Sequence, residues 1–195
     1  MTRRVLVAGV GNVFLGDDGF GVEVAARLDG VPMPAGVWVA DYGIRGVHLA
    51  YELLTGYDAL ILIDAAQRGE RPGTLSVIEP DLDAVPATAD PGTPVMDAHG
   101  MAPDAVFALL KTLGGDVGTV WVLGCEPADV TDRMGLSAPV AGAVDAAVRL
   151  AARLAEAAAD GRAVPGSELV ARATAEWSPV SAATEEVDAG VARRT

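Results

Sequence analysis

Apolar residues in this chain fall into two kinds of run. Val5-Leu6-Val7-Ala8 and Ala59-Leu60-Ile61-Leu62-Ile63 are short and nearly unbroken, as buried strands are. Val106, Leu109, Leu110 and Leu113 instead recur at helical spacing, as do Val140, Val144, Ala147, Val148 and Ala151. The pattern predicts strands near 4–9, 37–41, 58–64, 74–79 and 119–125 and helices near 19–29, 45–55, 101–113 and 139–158, with the apolar stripes facing the sheet. Such alternation belongs to a mostly parallel sheet covered on both faces. The connection Arg68-Gly69-Glu70-Arg71-Pro72-Gly73 is too short for a crossover helix, so the strand at 74–79 should run antiparallel at an edge. From Glu79 to Ala98 the chain is rich in Pro, Asp and Thr and has no period, as in a long surface loop that carries function. Beyond about residue 160 the pattern fades. The expectation is one α/β domain over 1–160 and a tail over 161–195, with a loose helix around Glu168 to Trp177.

Composition narrows the partners. With 195 residues and 51% hydrophobic content the chain can bury one sizeable core. A formal charge of −13 argues against nucleic acid and anionic membrane surfaces, both of which need a basic face. The single cysteine excludes an intramolecular disulfide framework. The amino terminus runs straight into a strand without a signal-peptide pattern, and no apolar stretch reaches membrane-spanning length, so a cytoplasmic protein is expected.

The candidate chemistry begins after the first strand. Gly9-Val10-Gly11-Asn12 and Gly16-Asp17-Asp18-Gly19-Phe20-Gly21 form a strand, glycine loop and helix start. A phosphate loop offers N–H groups and positive helix-dipole charge, and two carboxylates there would repel the anion. The third glycine of a dinucleotide fingerprint is also missing, since Phe14 stands in its place. The loop reads as a cation site. Asp64 closes the very apolar third strand, and His99 precedes the helix at 101–113. Two carboxylates and an imidazole suit a borderline divalent metal such as nickel or zinc, with coordination positions left open. Each residue also has an ordinary reading: Asp17, Asp18 and Asp97 as helix caps, Asp64 as a turn cap, His99 as a hydrogen-bonding loop residue.

These segments carry a resemblance. Together with Asp41-Tyr42-Gly43-Ile44-Arg45-Gly46, Ile63-Asp64-Ala65 and His99-Gly100-Met101, they resemble the hydrogenase maturation proteases, endopeptidases that process the large subunit of nickel-iron hydrogenases. The likeness runs from about residue 4 to 155 and takes in Val122-Leu123-Gly124, Glu126-Pro127 and Gly135-Leu136-Ser137. Asp18 is a glutamate in some relatives, and the tail beyond about 160 has no counterpart. The resemblance implies a three-layer α/β/α sandwich of the phosphorylase/hydrolase-like kind, whose five-stranded mixed sheet has order 2-1-3-5-4 with strand 4 antiparallel. Strands 1 and 3 are then neighbours, which brings Asp18 and Asp64 together.

By the same resemblance, Asp18, Asp64 and His99 match the family's three nickel-contacting positions, and the metal is the one the substrate already carries. The implied reaction removes a carboxy-terminal extension from the large-subunit precursor after nickel insertion, with the nickel as recognition element and as a Lewis acid on the scissile carbonyl or a water. Whether a carboxylate also serves as general base stays open. The expected partner is the precursor, and the expected state is a monomer. Cys125 closes a buried strand without an evident histidine partner and reads as a packed hydrophobe, while His48 reads as a surface or satisfied histidine. Gly43 is expected in the substrate groove, and Arg45 is either a substrate contact or a solvated cation. Two other classes remain: a metal-independent aspartic peptidase using Asp18 and Asp64 as a dyad, and a nickel-binding assembly chaperone without peptidase activity.

Overall fold

A computed structural model describes residues 2–84 and 103–162 of the chain. Its sheet is built outward from β1 (Val5–Val10), all six residues of which are buried. On one side lies β2 (Val37–Gly43); on the other come β3 (Ala59–Ala65), β5 (Thr119–Cys125) and, at the edge, β4 (Leu75–Ile78), in the order β2-β1-β3-β5-β4. All pairs are parallel except β4 with β5. The antiparallel edge strand follows from its short connection, whose turn cannot carry the chain back to the starting end of the sheet.

Period-two alternation divides the core. Val5 and Val7, Ala59, Ile61 and Ile63, and Trp121, Leu123 and Cys125 face the layer of α1 (Phe20–Leu28) and α4 (Ala138–Ala159). Leu6, Ala8 and Val10, Leu60 and Leu62, and Val120 and Val122 face α2 (Gly46–Leu53) and α3 (Pro103–Thr112). The result is the expected three-layer α/β/α sandwich. Strands buried on both faces read as continuous apolar runs, which is why β1 and β3 stand out in the sequence.

The elements agree with the expected ones to within a few residues, with local differences. Leu113 lies beyond α3 and is 39% exposed, while Phe107 occupies the core position expected of that stripe. A short 3-10 turn at Leu82–Ala84 falls inside the segment read as unstructured. The rest of that segment and the tail from residue 163 lie outside the described residues. Among the described residues, no helix is long and apolar enough to cross a membrane.

Two glycines set how closely α1 meets the sheet. A Cβ on Gly21 would overlap the backbone carbonyl oxygens of Ile63 and Val10, so only glycine lets the first turn of α1 rest on β1 and β3. Gly11 has φ +127°, and a Cβ there would overlap the Asp18 carbonyl. The glycine loop thus serves close backbone approach, and it presses the acidic turn onto the strand ends.

Candidate active site

The order of the sheet reverses between β1 and β3: the chain leaves β1 toward β2 on one side and returns to β3 on the other. A crevice opens beyond the carboxyl ends of strands at such a point. Asp18 lies in the 3-10 turn Gly16–Gly19 that follows β1, and Asp64 is the penultimate residue of β3. Both are partly buried. The Asp18 Oδ2 atom accepts a hydrogen bond from the Asn12 N–H at 2.7 Å, and Asn12 Oδ1 accepts one from the Phe14 N–H at 3.0 Å, so the loop between strand and turn is ordered around this carboxylate. Burial, and second the negative charge of Asp18, push the Asp64 carboxyl up to about 7, against one backbone hydrogen bond at Ala65 that pulls it down. The two carboxylates therefore feel each other, and a cation between them would relieve the repulsion.

Asp17 has a different role. Its side chain is fully buried. Oδ2 accepts from the N–H groups of Ala128 (2.8 Å) and Asp129 (2.9 Å) and from the Ser137 hydroxyl (2.8 Å), while Oδ1 accepts from the Ser137 N–H (2.6 Å). Burial alone would raise this carboxyl; the bonds from Ser137, Ala128 and Asp129 outweigh it and hold the group below the ordinary aspartate value. Neither Asp17 nor Asp18 caps α1, whose N-cap is Gly19 with no side-chain bond. Ser137, at the N-cap of α4, likewise turns its hydroxyl to Asp17 instead of to its own helix.

Glu126 is a second buried acid that sequence reasoning did not single out for a role, although it follows β5 directly. Its carboxylate accepts from the N–H groups of Arg68 (2.7 Å) and Gly69 (3.2 Å), and so pins the connection that leaves Asp64 and β3 for β4. A signal for both acids was available only as position, one residue before a candidate ligand and one after a buried strand.

The remaining candidates separate. His99 and Asp97 lie outside the described residues. Among the described residues, no three His, Cys, Asp or Glu side chains are placed to hold a metal. Gly43 ends β2 with φ +50° and accepts a hydrogen bond from the Gly11 N–H (3.0 Å), which puts it beside the β1 loop. Arg45 is exposed, and its guanidinium is tied back to the carbonyl oxygens of Asp41 (2.6 Å) and Tyr42 (3.0 Å). His48 is exposed on α2. Cys125 is fully buried, and burial, with the charges of Asp17 and Glu126, pushes its thiol up to about 12, which leaves no thiolate at neutral pH.

A family profile described as hydrogenase maturation protease matches residues 22–154. The chain belongs to the hydrogenase maturation protease family. Among relatives, the hydrogenase expression/formation protein HupD of Rhizobium leguminosarum bv. viciae is 34% identical over 153 residues, 77% of this chain and 73% of that protein. The solved hydrogenase maturating endopeptidase HybD from E. coli superposes with a TM-score of 0.63 at 26% identity, over 85% of this chain and 99% of that one. A hydrogenase 2 maturation peptidase from a Thaumarchaeota archaeon gives a TM-score of 0.59 at 31% identity, over 78% and 97%. Like these proteins, this member of the maturation protease family is an endopeptidase. The sheet order and its one antiparallel pair are those of the family's solved structures.

Proposed function

We propose that this protein removes the carboxy-terminal extension of a nickel-iron hydrogenase large-subunit precursor after nickel has been inserted, and that Asp18 and Asp64, with His99, recognise the nickel the precursor carries. The observation that carries this reading is the carboxylate pair at the β1/β3 switch point, where the turn after β1 places Asp18 and the end of β3 places Asp64, whose carboxyl is pushed up by burial and by the charge of Asp18. When bound, nickel supplies a Lewis acid for the scissile carbonyl or a water. The chain itself contributes orientation: the Asn12 N–H fixes Asp18, and the end of a buried strand fixes Asp64. Gly43 and Arg45 border the groove that receives the precursor's main chain.

The same raised carboxyl favours a second reading, a metal-independent dyad in which Asp18 and Asp64 share one proton. Purified protein incubated with nickel-loaded and nickel-free precursor, with mass loss at the carboxy terminus as readout, separates the two. Nickel-directed recognition expects cleavage of the loaded form alone, and loss of cleavage in Asp18→Asn, Asp64→Asn and His99→Ala. Equal cleavage of both forms, rising in acid, would assign the dyad. Tight binding of nickel by the free protein without any cleavage would assign an assembly chaperone.

A further inference from the structure

Among the described residues the buried charged side chains are Asp17 and Glu126, and both serve the connection between β5 and α4, residues 126–137. Glu126 opens that connection. Its carboxylate accepts from the Arg68 and Gly69 N–H groups, a few residues beyond Asp64. Its main chain ties down the far end of the same β3–β4 segment: the Gly73 N–H donates to the Glu126 carbonyl (2.8 Å) and the Glu126 N–H to the Thr74 carbonyl (2.9 Å). Ser137 closes the connection and gives both its N–H and its hydroxyl to Asp17, the residue before Asp18. Between the two ends, the Asp17 N–H donates to the Asp129 carbonyl (2.9 Å), the Gly16 N–H to the Arg133 carbonyl (2.8 Å) and the Arg133 N–H to the Phe14 carbonyl (3.0 Å). One segment therefore holds the turn that carries Asp18 and the exit of the strand that carries Asp64.

We propose that the β5–α4 connection sets the separation of the Asp18 and Asp64 carboxylates, with Ser137 and Glu126 as positioning residues; the inference rests on the reading above that Asp18 and Asp64 act on the precursor. The sheet alone does not fix that separation. Asp64 is in register with Gly124 inside the β3/β5 pair, but Asp18 lies outside the sheet, in a 3-10 turn that has no side-chain cap of its own. The turn is held from outside, through Asp17. The choice of charged groups for this task also points to geometry. Taking a carboxylate out of water is costly and is offset only when its oxygens are hydrogen-bonded, so a buried charge is a poor way to gain stability. Charge-assisted bonds to backbone N–H groups are short and directional, which suits them to fixing a loop in one place. A misplacement of about 1 Å at a reacting centre can cost on the order of a hundredfold in rate, so a small relaxation of either tie should be visible in catalysis.

The test uses the full chain with nickel-loaded precursor, at a temperature where every variant is folded. Ser137→Ala removes one bond to Asp17 and leaves the Ser137 N–H in place; it should lower kcat roughly tenfold and change KM less, since the reacting groups are displaced while the bulk of the precursor contact is kept. Ser137→Thr restores the hydroxyl and should restore kcat. Glu126→Gln should lower kcat in the same sense as Ser137→Ala. Leu154→Ala is the control for stability alone: it opens the core about 25 Å farther along α4 and should melt lower than wild type yet keep its kcat. Wild-type kcat in Ser137→Ala or in Glu126→Gln overturns the inference, as does a Ser137→Thr protein as slow as Ser137→Ala or a Leu154→Ala protein slowed to the same extent. Cleavage at the wild-type rate by Asp18→Asn and Asp64→Asn overturns the reading of the site itself; with both of these inactive and Ser137→Ala unaffected, the inference alone fails.

Discussion

Asp17 and Asp18 are chain neighbours that serve different parts of the molecule: the Asp17 carboxylate is fully buried and holds the backbone of residues 128–137, whereas Asp18 is partly exposed beside Asp64 at the strand ends. The buried Asp17 and the Asp64 that faces Asp18 lead to opposite expectations on mutation.

Asp17→Asn should destabilise the fold by roughly 2–4 kcal/mol at neutral pH, because an amide cannot accept all four hydrogen bonds and turns an N–H₂ toward N–H donors. The folded-state value of Asp17 is lowered, so its stabilisation is complete above the ordinary value of 3.8 and is lost as pH falls from there through the lower folded value. The stability gap between wild type and variant, measured by urea unfolding, should therefore be wide at pH 7 and close in acid. A gap independent of pH would show that the charge of Asp17 is not what holds the loop.

Asp64→Asn should behave in the reverse sense. Its folded-state value is raised from 3.8 to about 7, so the ionised form is disfavoured by folding, and stability falls as pH rises across that window. With precursor absent, the variant should melt above wild type at pH 8, converge with it near pH 4, and process no precursor. A lower melting temperature at pH 8 would count against the strain of the paired carboxylates.

Gly21→Ala places a methyl group on the carbonyl oxygens of Val10 and Ile63. Alanine favours helix by about 1 kcal/mol over glycine. The overlap is with main chain, which cannot rotate away, and overpacking of this kind costs roughly 1–3 kcal/mol, so the net change should be destabilising. Because α1 and the Asp18 turn would move together, activity should fall along with stability. Denaturant unfolding and precursor cleavage read the two effects.

Cys125→Ser should retain processing activity at a stability cost of about 1 kcal/mol or somewhat more, since a hydroxyl replaces a buried thiol. Complete loss of cleavage by a well-folded variant would indicate a thiol mechanism, against the raised thiol.

A chain ending at Arg162 should fold and melt nearly as the full chain does. The α4 side chains Leu150, Ala151, Leu154, Ala155 and Ala158 that complete the core all precede the cut. Aggregation or a large fall in melting temperature would show that Leu169, Val170 and Trp177 contribute to the body.

The sequence by itself determined the elements and their layers. Runs such as Ala59–Ile63 and the spacing of Val140, Val144, Ala147 and Ala151 record, in chain order, which residues are buried, and the short connection before β4 forces its antiparallel direction. It also marked Asp18 and Asp64, because a carboxylate at the end of a buried strand or in a glycine turn stands out against an apolar background. Only the tertiary structure decided that Asp17 is the structural acid of the pair and that Phe107 replaces Leu113 in the core. The same holds for the pairing of the backbone at Leu15 with that at Arg133. Those facts depend on partners more than a hundred residues away or on the exact rotation of a helix against the sheet. Hydrophobic periodicity reports burial, which is local in the chain, but not which distant N–H group a buried oxygen will meet.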